Sequence, residues 1–183
     1  LQRGTYVVQH QLYNQLFIHK EEKMGISGHG VNYKAVFTDT DVALPAAVLQ
    51  RGENKDGEFI FVQADGAIAQ YNAVGVTGAG QAADLTTTTY AASAVIGFAQ
   101  VAVADDEYFW LWVGKGGGTG SGIKGNVAAS YAAYAPMNTT ATDGVVDDAA
   151  TKIIGGVVGV ATDGGSGSAV ELMAAGPITK VTA

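Results

Sequence analysis

Just before Gly114 the chain reads Tyr-Phe-Trp-Leu-Trp-Val, residues 108–113, and this run limits the fold more than any other. Successive side chains of a strand point to opposite faces. Tyr108, Trp110 and Trp112 therefore line one side, and Phe109, Leu111 and Val113 line the other. Neither side is written for water. A strand of this kind lies centrally between two layers, or has one face covered by a partner. The Phe109/Leu111/Val113 side is expected in the core. For the Tyr108/Trp110/Trp112 side two readings stay open: a second core layer, or a contact with another subunit, because Trp and Tyr dominate interface hot spots. The stretch 96–103 is also apolar on both sides, and Asp105-Asp106 between the two runs predicts an antiparallel hairpin.

The rest of the chain repeats the same idiom. Short runs rich in Val, Ile, Thr, Tyr and Phe alternate with Gly or Asp clusters, as strands alternate with turns. Strands are predicted at 5–8, 12–18, 31–37, 58–63, 74–77, 96–103, 108–113, 127–130, 153–160 and 169–174. Helical periodicity is nearly absent, and a helix at 128–135, stopped by Pro136, is the weaker alternative for that stretch. The expected class is all-β, with a β-sandwich or β-barrel-like core. Two segment pairs align: 62–74 with 127–139, and 95–105 with 153–163. They fit a duplicated β unit, or chance similarity in a chain with 30 Ala and 26 Gly. Residues 1–50 fall outside that pattern and read as an N-terminal arm or accessory strands, with a β-rich core domain at 51–183. The arm contributes three apolar side chains to the candidate contacts, Tyr13, Leu16 and Phe17.

Charge narrows the partners. Charged residues are only 15% of the chain, against about 25% in an ordinary soluble domain. This hints that part of the surface is covered. The basic and acidic groups of residues 1–49 cancel, so the net charge of −7 belongs wholly to residues 50–183. Binding to a phosphate backbone needs a concentrated basic face, and none is written here, so no nucleic-acid partner is expected. No apolar run approaches the length of a spanning helix, and no membrane partner is expected. With no cysteine, disulfides and thiolate metal sites are excluded. The first residues lack the charged and apolar regions of a signal peptide, which gives the expectation of synthesis in the cytoplasm.

Little catalytic chemistry is legible. Gly120-Ser-Gly-Ile-Lys-Gly125 matches G-x-G-x-x-G, but a dinucleotide site needs a helix behind those glycines. None is predicted, and the glycine run reads as a mobile hairpin tip. His10, His19 and His29 are too far apart in sequence to share one local metal or catalytic element. The acidic groups at Asp39/Asp41, Asp105-Asp106-Glu107, Asp143/Asp147/Asp148 and Asp163 read as turn formers whose carboxylates bond to backbone amides. No catalytic, cofactor-binding or metal-ligating residue is expected, and no enzyme.

Three segments together carry a resemblance: "GEFIFVQADGAIAQYNAV" (57–74), "IGFAQVAVADDEYFWLWVGKG" (96–116) and "VAASYAAYAPMNTTATDGVVDDA" (127–149). In this order they resemble the capsid decoration, or cement, proteins of tailed-phage heads. The resemblance implies a non-enzymatic virion protein on the outer surface of an icosahedral capsid. It would bind across subunits of the major capsid protein and form a homo-oligomer, with a trimer favoured. No site residues or cofactors come with it. Two other functions stay open: a different virion component, such as a tail tube, head-fibre base or receptor-facing protein, and a carbohydrate-binding β-sandwich that stacks sugars on Trp110 or Trp112.

Overall fold

The computed structural model describes residues 26–27, 30–40, 44–149, 152–162 and 168–181. Its first seven strands are β1 (Ile26–Ser27), β2 (Gly30–Val31), β3 (Val36–Phe37), β4 (Arg51–Asn54), β5 (Gly57–Ala64), β6 (Ala73–Val76) and β7 (Gln81–Asp84). After a single 3-10 turn at Thr89–Ala91 come β8 (Val95–Ala99), β9 (Tyr108–Gly117), β10 (Lys124–Asn126), β11 (Pro136–Thr139), β12 (Val146–Asp147), β13 (Ile153–Gly159) and β14 (Ala169–Lys180). The chain is all-β, as its alternation of apolar runs and turn residues predicts.

Five strands close into a barrel. β5 pairs with β9, β9 with β8, β8 with β6 and β6 with β7, all antiparallel, and β7 returns to β5 in parallel. Every second side chain of a barrel strand points inward. Ile60 and Val62 of β5, Val74 and Val76 of β6, and Phe109 and Leu111 of β9 fill the interior in one apolar cluster. The bridge between Ile68 and Val103 adds both of these residues to that cluster.

The alternate side chains of the same strands point out of the barrel and meet a second layer. That layer is the antiparallel run β12-β11-β13-β14, which joins the barrel through β9. The core between them gathers Phe59, Phe61, Phe98, Trp110 and Trp112 from the barrel with Ile154, Val157, Leu172 and Ile178 from β13 and β14. Burial of large side chains of this kind contributes on the order of 1.5–3 kcal/mol each.

β9 belongs to both layers, and its glycines make this feasible. Gly114 faces Glu58 in the barrel and Pro177 in the second sheet, so the strand changes partners there. A Cβ on Gly114 would lie 2.3 Å from the carbonyl oxygen of Gly176. Gly116 and Gly117 continue the pairing with β14. The glycine-rich run 114–125, expected as a mobile tip, is corrected at its start: residues 114–117 are strand, pressed against another backbone.

A side-chain clamp holds the layers on the far side. Lys180, from the end of β14, donates hydrogen bonds to the carbonyls of Ala91 and Ser93, both at 3.0 Å. The Tyr90 hydroxyl donates towards the carbonyls of Ile153, at 2.7 Å, and Val181, at 3.1 Å.

Several expectations shift. The stretch 31–37 breaks into β2 and β3 around a turn, and β3 pairs with β9, burying Phe37 in the interlayer core. Part of the region read as an arm therefore belongs to the folded body. Strands 5–8 and 12–18 lie outside the described residues. Residues 128–135 are neither strand nor helix; Ser130 and Tyr134 adopt left-handed backbone angles there, which interrupt regular structure. Tyr131 anchors the segment: its hydroxyl donates to the Ala135 carbonyl at 2.6 Å and accepts from the Gly159 amide at 3.0 Å. Tyr131→Phe is expected to lose about 1–3 kcal/mol of unfolding free energy, because two backbone groups are left unsatisfied. Urea titration followed by fluorescence measures this, and an unchanged midpoint would dismiss the anchor. In the aligned pair 95–105 and 153–163, of which residue 163 lies outside the described residues, each segment opens with a strand, β8 or β13, that pairs antiparallel with the next long strand, β9 or β14. The other pair shows no such correspondence, since Val62 is central in β5 whereas Val127 makes a single bridge.

Candidate functional site

Both faces of the aromatic strand, the strongest candidate contact surface in the sequence, are internal. Trp110 and Trp112 are 0% exposed. Trp110 packs against Phe61 with ring centres 5.1 Å apart, and Trp112 against Phe98 at 6.3 Å. The opposite side chains, Phe109, Leu111 and Val113, fill the barrel. The reading of Trp110 and Trp112 as a partner contact is corrected: barrel closure provides one core and the second sheet provides the other. A sugar cannot stack on a ring with no accessible face, so the carbohydrate reading for these two residues goes with it. Tyr108 is half-buried and stacked on Phe61 at 6.0 Å. Asp39, which bonds to its hydroxyl, and burial both raise the pKa of that phenol. Tyr13, Leu16 and Phe17 lie outside the described residues.

The glycine-rich turn carries no phosphate cradle. The Gly120 amide is directed at the carboxylate of Glu171, 2.9 and 3.0 Å from its two oxygens, and β10 rather than a helix follows. Other acidic side chains are used in the same way. Asp105 accepts from the Gly66 amide at 2.7 Å, Glu107 from Ala104 at 2.7 Å and Asp148 from Ala132 at 2.9 Å. Glu107, and Asp147 by accepting from the Asp148 amide at 2.8 Å, act locally as the turn reading expects, whereas Asp105 and Asp148 reach amides 39 and 16 residues away and tie separate segments together. Among the described residues no three His, Asp or Glu side chains come together as a metal group would require. His10, His19 and His29 fall outside those residues.

A polar seam that sequence did not reveal lies where the barrel meets the second layer. The Asn72 amide donates to the Asp84 carboxylate at 2.9 Å, and the Asn126 amide donates to the Asn72 oxygen at 2.8 Å. Beside it opens a shallow hollow lined by Asn126, Val127, Ala128, Thr142, Val145 and Ser168. Burial raises the pKa of Asp84, the Asn72 hydrogen bond opposes that shift, and the nearby charge of Asp143 adds to it. A carboxyl whose pKa is raised by folding binds its proton more tightly in the native state. Its stabilising contribution is complete below the unfolded value near 3.8 and is lost as pH rises through the native value. Asp84→Asn is therefore expected to raise the melting temperature relative to the parent at pH 7, by a margin that disappears near pH 3. A margin independent of pH would contradict the assignment. No such polar network is visible in sequence, because Asn72, Asp84 and Asn126 are widely spaced and meet only where the β6–β7 pair of the barrel lies beside β10.

The remaining surface of note is the outward face of β13 and β14. An antiparallel sheet with one face in water normally alternates apolar-in with polar-out. Here the inward half obeys, with Val170, Leu172, Ala174 and Ile178 buried. The outward half does not. From Met173 onward the outward residues of β14 are Met173, Ala175, Pro177 and Thr179, and Val181 follows just past its end, all exposed and none charged. Ile153 and Val158 continue the face on β13, with Val158 directly beside Met173. Ile153, Met173 and Val181 are 42–43% exposed. Glu171 marks one end, with its carboxylate already bonded to the Gly120 amide.

No protein-family model and no curated protein sequence matches the chain.

Proposed function

We propose that this protein is a non-enzymatic structural component of a tailed-phage particle. It sits on the outer surface of the icosahedral capsid and braces it by binding across neighbouring subunits of the major capsid protein. The observation that carries this reading is the uncharged outward face of β13 and β14. Contiguous exposed apolar surface on a folded chain marks a place where another molecule sits, and a sheet face that omits its polar half is built to be covered. The segment resemblance supplies the kind of assembly, and the 1–50 region supplies a further shell contact. Several weak contacts made at once to a repeating lattice add up through effective concentration.

The test is direct. Purified protein is mixed with phage shells that lack it, and the shells are sedimented and then heated. Co-sedimentation at a fixed ratio to the major capsid protein, with a higher temperature of shell rupture, is expected. Absence of binding at saturating protein overturns the proposal.

A further inference from the structure

We infer that Tyr134 is the principal contact residue for the shell, a ring that enters a pocket on the major capsid protein. The inference rests on the shell reading above and names the side chain that carries it. Among the described residues Tyr134 is the most exposed of the large apolar side chains, at 61%. Its backbone has φ of +61°, a left-handed angle whose ordinary occupants are glycine and asparagine. A bulky ring is thus held in water at a backbone angle that suits it badly, and neither feature helps the fold. Strain that the surrounding structure maintains gathers at binding sites and ligand clamps.

The surroundings do maintain it. The Tyr134 amide donates to the Gly159 carbonyl at 2.8 Å, and the Ala132 amide donates to the Asp148 carboxylate at 2.9 Å. The Tyr131 hydroxyl ties the same loop to Ala135 and Gly159. The ring therefore projects from a fixed backbone, and a partner need freeze little beyond its two side-chain torsions. Its neighbours are low. Ala129, Ser130, Ala132 and Pro136 are exposed but short, and no charged side chain occurs from Gly125 to Thr142. A single aromatic knob on flat, uncharged ground fits a concave apolar pocket. Its phenol tip has no hydrogen-bond partner among the described residues, and suits a polar group at the pocket floor.

Position selects the occupant. Gly159, which accepts from the Tyr134 amide, ends β13. Pro136 stands opposite Val158, and Val158 stands beside Met173. The loop is thus continuous with the uncharged outward face, and a molecule that covers the face also reaches Tyr134. The face by itself is narrow and has few projections. A few residues carry most of the energy of an interface, and tyrosine is prominent among them, so an aromatic knob at the corner supplies what the face lacks.

The experiment titrates phage shells that lack the protein with the parent, Tyr134→Asn and Ser130→Gly, and melts each free protein in parallel. Asparagine tolerates the left-handed angle, so the first variant removes the ring and leaves the loop in place. Ser130 has φ of +70° and is exposed in the same loop, so the second variant tests the backbone alone. Tyr134→Asn is expected to melt at or above the parent's temperature, yet to bind shells at least about tenfold more weakly. Ser130→Gly is expected to bind as the parent does. A parent that binds, with a Tyr134→Asn variant that binds equally well, overturns this inference and leaves the shell reading standing. A Tyr134→Asn variant that melts well below the parent makes the ring a structural residue and overturns it too, as does an equal loss of binding in Ser130→Gly. A parent that binds no shell at saturating concentration overturns the shell reading and this inference with it.

Discussion

Gly117→Ala is expected to lower the unfolding free energy by roughly 2–5 kcal/mol, a large part of what holds a domain of this size together. Two costs add. The backbone of Gly117 has φ of +75°, the left-handed region that side chains disfavour. A Cβ there would lie 2.2 Å from the carbonyl oxygen of Leu172, closer than any tolerated contact. The obstacle is backbone of β14 rather than the end of a flexible side chain, so relief requires the strands to separate. Gly118→Ala isolates the first cost. It has φ of +100° but nothing within 4 Å of the added atom, and only about 1–2 kcal/mol is expected. Urea unfolding of both variants measures the difference. Equal losses would show that the close approach of β9 to β14 at Gly117 is not part of the folded protein.

Trp112→Ala is the second large effect, about 3–5 kcal/mol, from lost transfer energy and the cavity left in the interlayer core. Trp112→Phe should lose markedly less. It keeps a ring against Phe98 and deletes an indole N–H that has no hydrogen-bond partner in its buried site. Burying such a donor unpaired costs about 1–3 kcal/mol, which offsets part of the lost volume. Thermal and urea unfolding of the two variants, with the mass of each in solution, decide the point. If Trp112→Ala left stability intact and changed only the association state, the indole would face a partner and its placement in the core would be wrong.

The parts legible in sequence were those with strong local chemistry. The strands at 58–63, 74–77, 108–113 and 153–160 are recognisable because β-branched and aromatic residues cluster there, and 169–174 as an apolar run after a Gly-rich turn; each overlaps an observed strand within a few residues at its start. The antiparallel pairing of β8 and β9 was also legible, from the acidic turn between two apolar runs. What escaped was set at a distance. β4 (Arg-Gly-Glu-Asn), β7 (Gln-Ala-Ala-Asp) and β10 (Lys-Gly-Asn) have poor strand formers and extend only because a neighbouring strand offers its hydrogen bonds. β7 in particular is held in parallel register, Gln63 beside Gln81, by a pairing that no hairpin rule anticipates. Closure of the barrel depends on that one contact. Without it the two apolar faces of 108–113 exceed what one small domain covers, which is why the sequence leaves a partner contact open for the indoles. The uncharged outer face was likewise invisible. Its residues alternate with buried apolar ones, and only the burial of Val170, Leu172, Ala174 and Ile178 shows which half is covered.

β9 is shared by barrel and sheet, so neither layer has a boundary along which it could come away alone. Opening the second sheet strips β9 of its Met173, Ala174 and Pro177 partners, and opening the barrel strips it of its Phe59 to Gln63 partners. Either event withdraws the template on which the other layer is laid. The protein is therefore one mechanical body, in which load applied to β14 is passed by a single continuous strand into a closed ring.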